Sequence, residues 1–244
     1  MVHSYRGGTG KTLLSTNLAA AYSKKEKVCL LDYDFKAPSL HGMFKVSTPD
    51  FYVNDYLNDD CEIQEALTEV FPNLYVGFAC PDSEAIRDMV GKSRSWETEA
   101  LNKTVSLKAT LGDLDISKLI FDTPPGLAYS SINAVIASDV VALVMRMDSV
   151  DILGTKEMVK DVYGLLEKPS FVVVNMVLPA QQKALTSTLE ALFKDQILGY
   201  LPCLCEVKSY IAQGKQILID EKLSYSEAVL KLSQDIETFC TNKD

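Results

Sequence analysis

The sequence predicts an α/β fold: a mostly parallel, twisted sheet with helices on both faces. Three observations carry that reading. Short, continuous apolar runs rich in β-branched residues recur along the chain, as strands buried on both faces require. Segments with apolar residues at i, i+3 and i+4 separate them, the period of amphipathic helices. A glycine-rich turn, residues 5–12, stands between the first run and the first such segment. In order, residues 2–5 form a short strand leading into that turn. The helix after it carries Leu13, Leu14, Asn17, Leu18, Ala21 and Tyr22 along one side. Residues 28–31, 74–79, 118–121, 140–145, 171–174 and 197–201 read as buried strands. Met158, Val159, Val162, Leu165 and Leu166 mark a later helix, and Leu185, Leu189, Leu192 and Phe193 another. Residues 225–239 form the last helix, with a stripe of Tyr225, Val229, Leu232, Ile236 and Phe239. Residues 83–110 show no clean period. There is no repeat, low-complexity tract or linker, so a single domain over residues 1–244 is expected.

Composition excludes several classes. Hydrophobic residues are 47% and charged residues 23% of 244, so the chain can bury a core and is not a disordered one. Six cysteines are too few for a disulfide scaffold. No apolar run reaches the ~18 residues that span a bilayer, and only five residues precede Arg6 of the glycine-rich motif, so no signal peptide is expected. A cytoplasmic protein is the expectation. The net charge of −9 disfavours non-specific coating of nucleic acid or binding to anionic lipid by bulk charge.

The glycine-rich turn carries the chemistry. Tyr5-Arg6-Gly7-Gly8-Thr9-Gly10-Lys11-Thr12 follows a strand and opens a helix, the context of a phosphate loop. Glycines let backbone N–H groups turn toward a phosphate, and the helix N-terminus adds partial positive charge. Lys11 can reach the β- and γ-phosphates, and the Thr12 hydroxyl can ligate Mg²⁺. The strict pattern G-x-x-x-x-G-K-[ST] fails, because Tyr5 stands at its first glycine. A chance glycine-rich turn is the competing reading, and strand, loop, Gly-Lys-Thr and helix in succession argue against it.

Gly7-Gly8-x-Gly10-Lys11-Thr12 resembles the deviant Walker A motif of the ParA/MinD superfamily of P-loop ATPases, K-G-G-x-G-K-[ST]. Asn17-Leu18-Ala19 resembles the family's following helix. Leu30-Leu31-Asp32-Tyr33-Asp34 resembles its D-x-D, and Phe121-Asp122-Thr123-Pro124-Pro125-Gly126 its Walker B and switch II. Val173-Val174-Asn175 and Gly199-Tyr200-Leu201-Pro202 resemble its two base-binding elements. Ala37-Pro38-Ser39-Leu40 and the D-T-P-P-G form are similar to the MinD and Mrp branches.

The resemblance implies a P-loop NTPase fold and an ATP- and Mg²⁺-dependent ATPase. The Gly7, Gly8, Thr9 and Gly10 backbone, with Arg6, Lys11 and Thr12, would hold the phosphates. Asp122 would hold Mg²⁺ through water. Asp34 would orient the attacking water, with Asp32 nearer the Mg²⁺ shell. Alternation puts Asp32 and Asp34 on one side if their strand persists, where the carboxylates repel unless a cation lies between them. Asn175 can donate to and accept from an adenine edge. Pro202 would flank the base, and no guanine-reading [NT]-K-x-D follows Asn175, so ATP is favoured over GTP. The family's signature lysine, which reaches across an ATP-sandwiched dimer, is Arg6 here. Two roles stand for it: an arginine finger acting in trans, or a side chain that binds phosphate in cis or faces solvent.

The expected function is an ATP-dependent dimerising switch that positions, loads or regulates a protein client. Alternatives are an Mrp-type metal or iron–sulfur carrier, a phosphotransferase or ligase on the same scaffold, and a nucleotide-binding scaffold of low turnover. Cys203-x-Cys205 would serve the carrier, but Mrp-type sites place a C-x-x-C after the Asn-Met element, where this chain has none. The polar face of the last helix shows Glu227, Lys231, Asp235 and Glu237, which favours core packing over membrane targeting. Five lysines against seven acids in residues 206–244 give no strong DNA signal. Finally, residues 50–70 hold Asp50, Asp55, Asp59, Asp60, Glu62, Glu65 and Glu69 and no Lys or Arg. This stretch reads either as a solvated helix face or as the address of a basic client or activator.

Overall fold

The computed structural model describes residues 1–44 and 46–241. In chain order its main elements are β1 (Val2–His3), α1 (Lys11–Ser23), β2 (Val28–Asp32), α2 (Val53–Leu57), β3 (Leu67–Phe71), β4 (Leu74–Gly77), α3 (Ser83–Val90), α4 (Arg94–Gly112), β5 (Lys118–Asp122), α5 (Tyr129–Ala137), β6 (Val141–Met145), α6 (Ser149–Met158), β7 (Ser170–Val177), α7 (Pro179–Phe193), β8 (Ile197–Pro202), α8 (Cys205–Ala212) and α9 (Ser224–Thr241). The chain divides into two compact units. One is Met1 with Tyr22–Ser138; the other is Val2–Ala21 with Asp139–Asp244.

In the first unit the strands run β3-β4-β2-β5. β4, β2 and β5 are parallel, with Val28 opposite both Leu74 and Lys118. β2 is buried throughout, as its unbroken apolar run requires. A Cβ on Gly77 would stand 2.5 Å from Leu31 Cδ2 and 2.8 Å from Val53 Cγ2, so this glycine lets α2 close on the sheet. Residues 83–110 form two helices. α4 starts at the cap Ser93, whose hydroxyl accepts from Trp96 N, and buries Ala100, Thr104, Leu107 and Leu111. That stripe is helical, but it is narrow and half small or polar, which hid it from a hydrophobic count. The acidic stretch is no single helix: it holds α2, a 3₁₀ turn over Ile63–Ala66 and the start of β3. β3 is antiparallel to β4 and buries none of its residues, so it shows no apolar alternation to read.

In the second unit β1-β6-β7-β8 are all parallel. β1 is two residues long rather than four. α9 lays Tyr225, Val229 and Leu232 into the core, and its Phe239 ring meets Phe171 at 5.2 Å, which is the expected core packing. α6 is capped by Asp148, whose side chain accepts from Asp151 N, and runs on into a π-turn over Val159–Tyr163. The wider turn changes the phase, so Leu165 and Leu166 emerge 80% and 41% exposed rather than joining the apolar face. Tyr163, in that turn, is buried and hydrogen-bonds His3 Nδ1 on β1. No described helix is long and apolar enough to cross a membrane.

Candidate nucleotide site

The phosphate loop lies in the second unit. Gly8 and Gly10 have φ of 76° and 88°, a region that favours glycine. Gly10 is required twice over, because a Cβ there would overlap the Asn175 amide nitrogen. That amide, at the end of β7, donates to Thr9 O at 2.8 Å and so clamps the crest of the loop. α1 starts at Lys11, which leaves the backbone N–H groups of its first turn directed out of the helix end. The Lys11 ammonium is buried and donates to Ser4 Oγ at 2.9 Å, and that hydroxyl donates to Arg6 O at 2.6 Å. The lysine is thus folded back along its own loop. Thr12 is half-buried in the same helical turn.

Asn175 spends only part of its capacity on the loop. Its Oδ1 accepts from Met176 N at 2.8 Å, which leaves one N–H and one lone pair for a base edge. Met176 sits at φ 58°, breaking the run of the strand just after Asn175. Pro202 ends β8 opposite Val177, and Cys203 N donates to Val177 O at 2.9 Å.

The carboxylates of the predicted D-x-D and Walker B positions lie in the first unit. Asp32 and Asp122 end neighbouring parallel strands in register and are both buried. Asp32 accepts from the backbone N–H groups of Asp34, Ser39 and Leu40, each at 3.1 Å. Burial first, and the facing Asp122 carboxylate second, push Asp32 up to about 8. The expected pairing of Asp32 with Asp34 does not form. The strand ends at Asp32, whose carboxylate curls the chain back, and Asp34 stands half-exposed in the turn, accepting from Ala37 N at 3.1 Å. The repelling pair is Asp32 with Asp122. Two buried carboxylates in register are a donor set of the hard-oxygen kind that suits Mg²⁺.

Arg6 is half-exposed and pairs in cis. Its guanidinium stands 3.6 Å from Asp148 and 3.7 Å from Asp151 on the first turn of α6. Asp151 is buried and also takes Arg146 Nε at 2.9 Å. Tyr5 lies against α6 as well, its ring occupying the place where Gly154 would carry a Cβ. Tyr5 and Arg6 are therefore both fastened to one helix.

Among the described residues no group of three or more His, Cys, Asp or Glu could hold a metal ion, and Cys203 and Cys205 are free thiols. Several acids of residues 50–70 have local work. Asp55 and Glu65 close capping boxes, Glu69 accepts from Asn73 N at 3.1 Å, and Asp59 pairs with Lys103 at 2.6 Å. A cavity of about 270 Å³ lined by Glu190, Lys194, Ile197 and Tyr200 shares no residue with the phosphate loop.

A glycine-rich loop between a parallel strand and a helix defines a P-loop nucleotide-binding α/β protein. The chain belongs to the CbiA family, the CobQ/CobB/MinD/ParA nucleotide-binding domain, which it matches over residues 1–217. It is 29% identical over 157 residues to the virulence plasmid ParA family protein pGP5-D of Chlamydia psittaci, covering 63% of this chain and 59% of that protein. It is 29% identical over 194 residues to the flagellum site-determining protein YlxH of Helicobacter pylori, covering 79% and 62%. The chain thus spans about three fifths of the length of these two relatives. Its fold is that of the septum site-determining protein MinD of Pyrococcus horikoshii, solved with Mg-ADP: TM-score 0.80 at 18% identity, covering 100% of this chain and 97% of that one.

Proposed function

We propose that this chain, acting as a single domain in the cytoplasm, binds and hydrolyses Mg-ATP and uses the cycle as a dimerising switch for a protein client. The observation that supports it most is the phosphate loop itself, with Gly10 kept bare by Asn175 and Lys11 buried beside it. The backbone of Gly7, Gly8, Thr9 and Gly10, with Lys11 and Thr12, takes the phosphates. Thr12, Asp122 and Asp32 are the residues that would hold Mg²⁺, which supplies neutralisation of phosphate charge. Asn175 and Pro202 flank the base. Asp34, outside the strand and half-exposed, would orient the attacking water. Nucleotide binding draws Arg6 from α6 toward phosphate, in cis or in a partner copy. Hydrolysis then releases the segments after Asp34 and Asp122. A basic client or activator would dock on the acidic residues 50–70, where Asp60 and Glu62 stand exposed.

ATP turnover and nucleotide affinity test this reading. The wild type should release phosphate with Mg²⁺ and ATP, and Lys11→Ala should not. Asp34→Ala should bind ATP as the wild type does and turn it over at least about tenfold more slowly. Equal turnover removes Asp34 from its role, and a wild type no faster than Lys11→Ala removes the ATPase reading.

A further inference from the structure

Two arginines and two aspartates meet where β6 runs into α6, and they share their contacts unevenly. Arg146, the first residue after β6, takes the short ones. Its Nε donates to Asp151 Oδ2 at 2.9 Å, and its backbone N–H donates to the same oxygen at 3.3 Å. Its Nη2 stands 3.2 Å from Asp148 Oδ2. Arg6 is left with the long ones, 3.6 Å to Asp148 Oδ1 and 3.7 Å to Asp151 Oδ1. The first of these oxygens already accepts from Asp151 N at 3.1 Å as the cap of α6. The second is buried and accepts no hydrogen bond from any described residue. Arg6 is thus drawn by charge and not gripped by hydrogen bonds. A guanidinium facing carboxylates closes on them with its fork when their oxygens are open to it. Here Arg146 already fills one oxygen of each.

We propose that Arg146 is a positioning residue for Arg6: by filling the near oxygens of Asp148 and Asp151, it keeps the loop arginine on a loose latch from which phosphate can draw it. This rests on the nucleotide-binding reading above and adds what sets the strength of the latch. When Arg6 departs, both carboxylates still face Arg146, so the buried Asp151 keeps a counter-charge. Without Arg146, two carboxylates face Arg6 alone. The guanidinium then closes on them, and the fraction of loops with Arg6 available falls. Apparent affinity for nucleotide falls with that fraction.

Two measurements on the full chain test it. One is hydrogen exchange at the Arg6 Nε–H, followed by NMR without nucleotide. The other is the ATP concentration at half-maximal turnover with Mg²⁺. Arg146→Met keeps an apolar stem and drops the charge. It should slow exchange at Arg6 about fivefold and raise the half-saturating ATP by a similar factor, with kcat within about twofold. Arg146→Gln, also uncharged, serves the same comparison should Arg146→Met not fold. Asp148→Asn, which still caps α6, should move both readings the other way. In an Arg6→Ala background Arg146→Met should leave the half-saturating ATP within about twofold, because no latch remains. Unchanged exchange at Arg6 in Arg146→Met overturns the latch. Slowed exchange with unchanged half-saturation, or a rise that persists in the Arg6→Ala background, overturns the positioning role. A wild type that turns over ATP no faster than Lys11→Ala overturns the ATPase reading and the positioning role with it, and the exchange rates still decide the latch.

Discussion

Asp32 is where one residue's chemistry reaches furthest. Its three backbone N–H donors favour the carboxylate, yet burial and Asp122 outweigh them and raise it from 3.8 to about 8. The folded protein therefore keeps a proton there that the unfolded chain releases. The stability from that proton is full below the ordinary value and is lost as pH rises through the folded one. In nucleotide-free protein without divalent metal, the urea midpoint should fall from about pH 5 to 8, and Asp32→Asn should flatten the fall. Parallel curves for the two proteins would refute this. Residues of this scale were legible in the sequence where their partners are local: Lys11 and Thr12 sit in one motif with one meaning. The Asp32–Asp122 pair is legible only in part, because each strand end is readable but their register is not. Asn17 and Gln216 lie 199 positions apart, and no spacing announces their hydrogen bond.

At the scale of elements, the long buried strands and α9 stood out because each has a consistent burial pattern. β3 and α4 did not: one strand buries nothing and the other element's buried stripe alternates with small and polar residues. The run of α6 into a π-turn shows how one wide turn defeats a periodic reading, sending Leu165 outward. Leu165→Ser should therefore change unfolding free energy by no more than about 0.5 kcal/mol, as at ordinary surface sites. Gly154→Ala, whose new methyl meets the Tyr5 ring, should cost about 1–3 kcal/mol by overpacking. Denaturant curves on both variants check the pair. Equal effects would show that Tyr5 moves aside at no cost and that the loop is not fastened to α6 as described.

At the scale of the whole molecule, a match over residues 1–217 settles the family, and the proposed switch turns on assembly. The Arg6 pair with the half-exposed Asp148 holds about 0–1 kcal/mol, and the buried Asp151 keeps Arg146 at 2.9 Å when Arg6 leaves, so α6 restrains this side chain only lightly. Arg6→Ala should leave thermal stability nearly unchanged. By light scattering it should weaken ATP-dependent dimerisation if the guanidinium acts in trans, and unchanged dimerisation and turnover would assign it to cis.

The division of the chain has a consequence for its synthesis. Val2–Ala21 belongs with Asp139–Asp244, so the phosphate loop is synthesised well before the segments it packs with. β1 waits for β6, Thr9 for Asn175, and Asn17 for residues 216–218. Tyr22–Ser138 can collapse on its own parallel strands while the loop is still without its frame. A nascent chain therefore carries the most recognisable motif in the sequence long before it can hold a nucleotide. The frame around the loop is complete only when residues 139–244 fold back on residues 2–21, a long-range closure that comes late in folding.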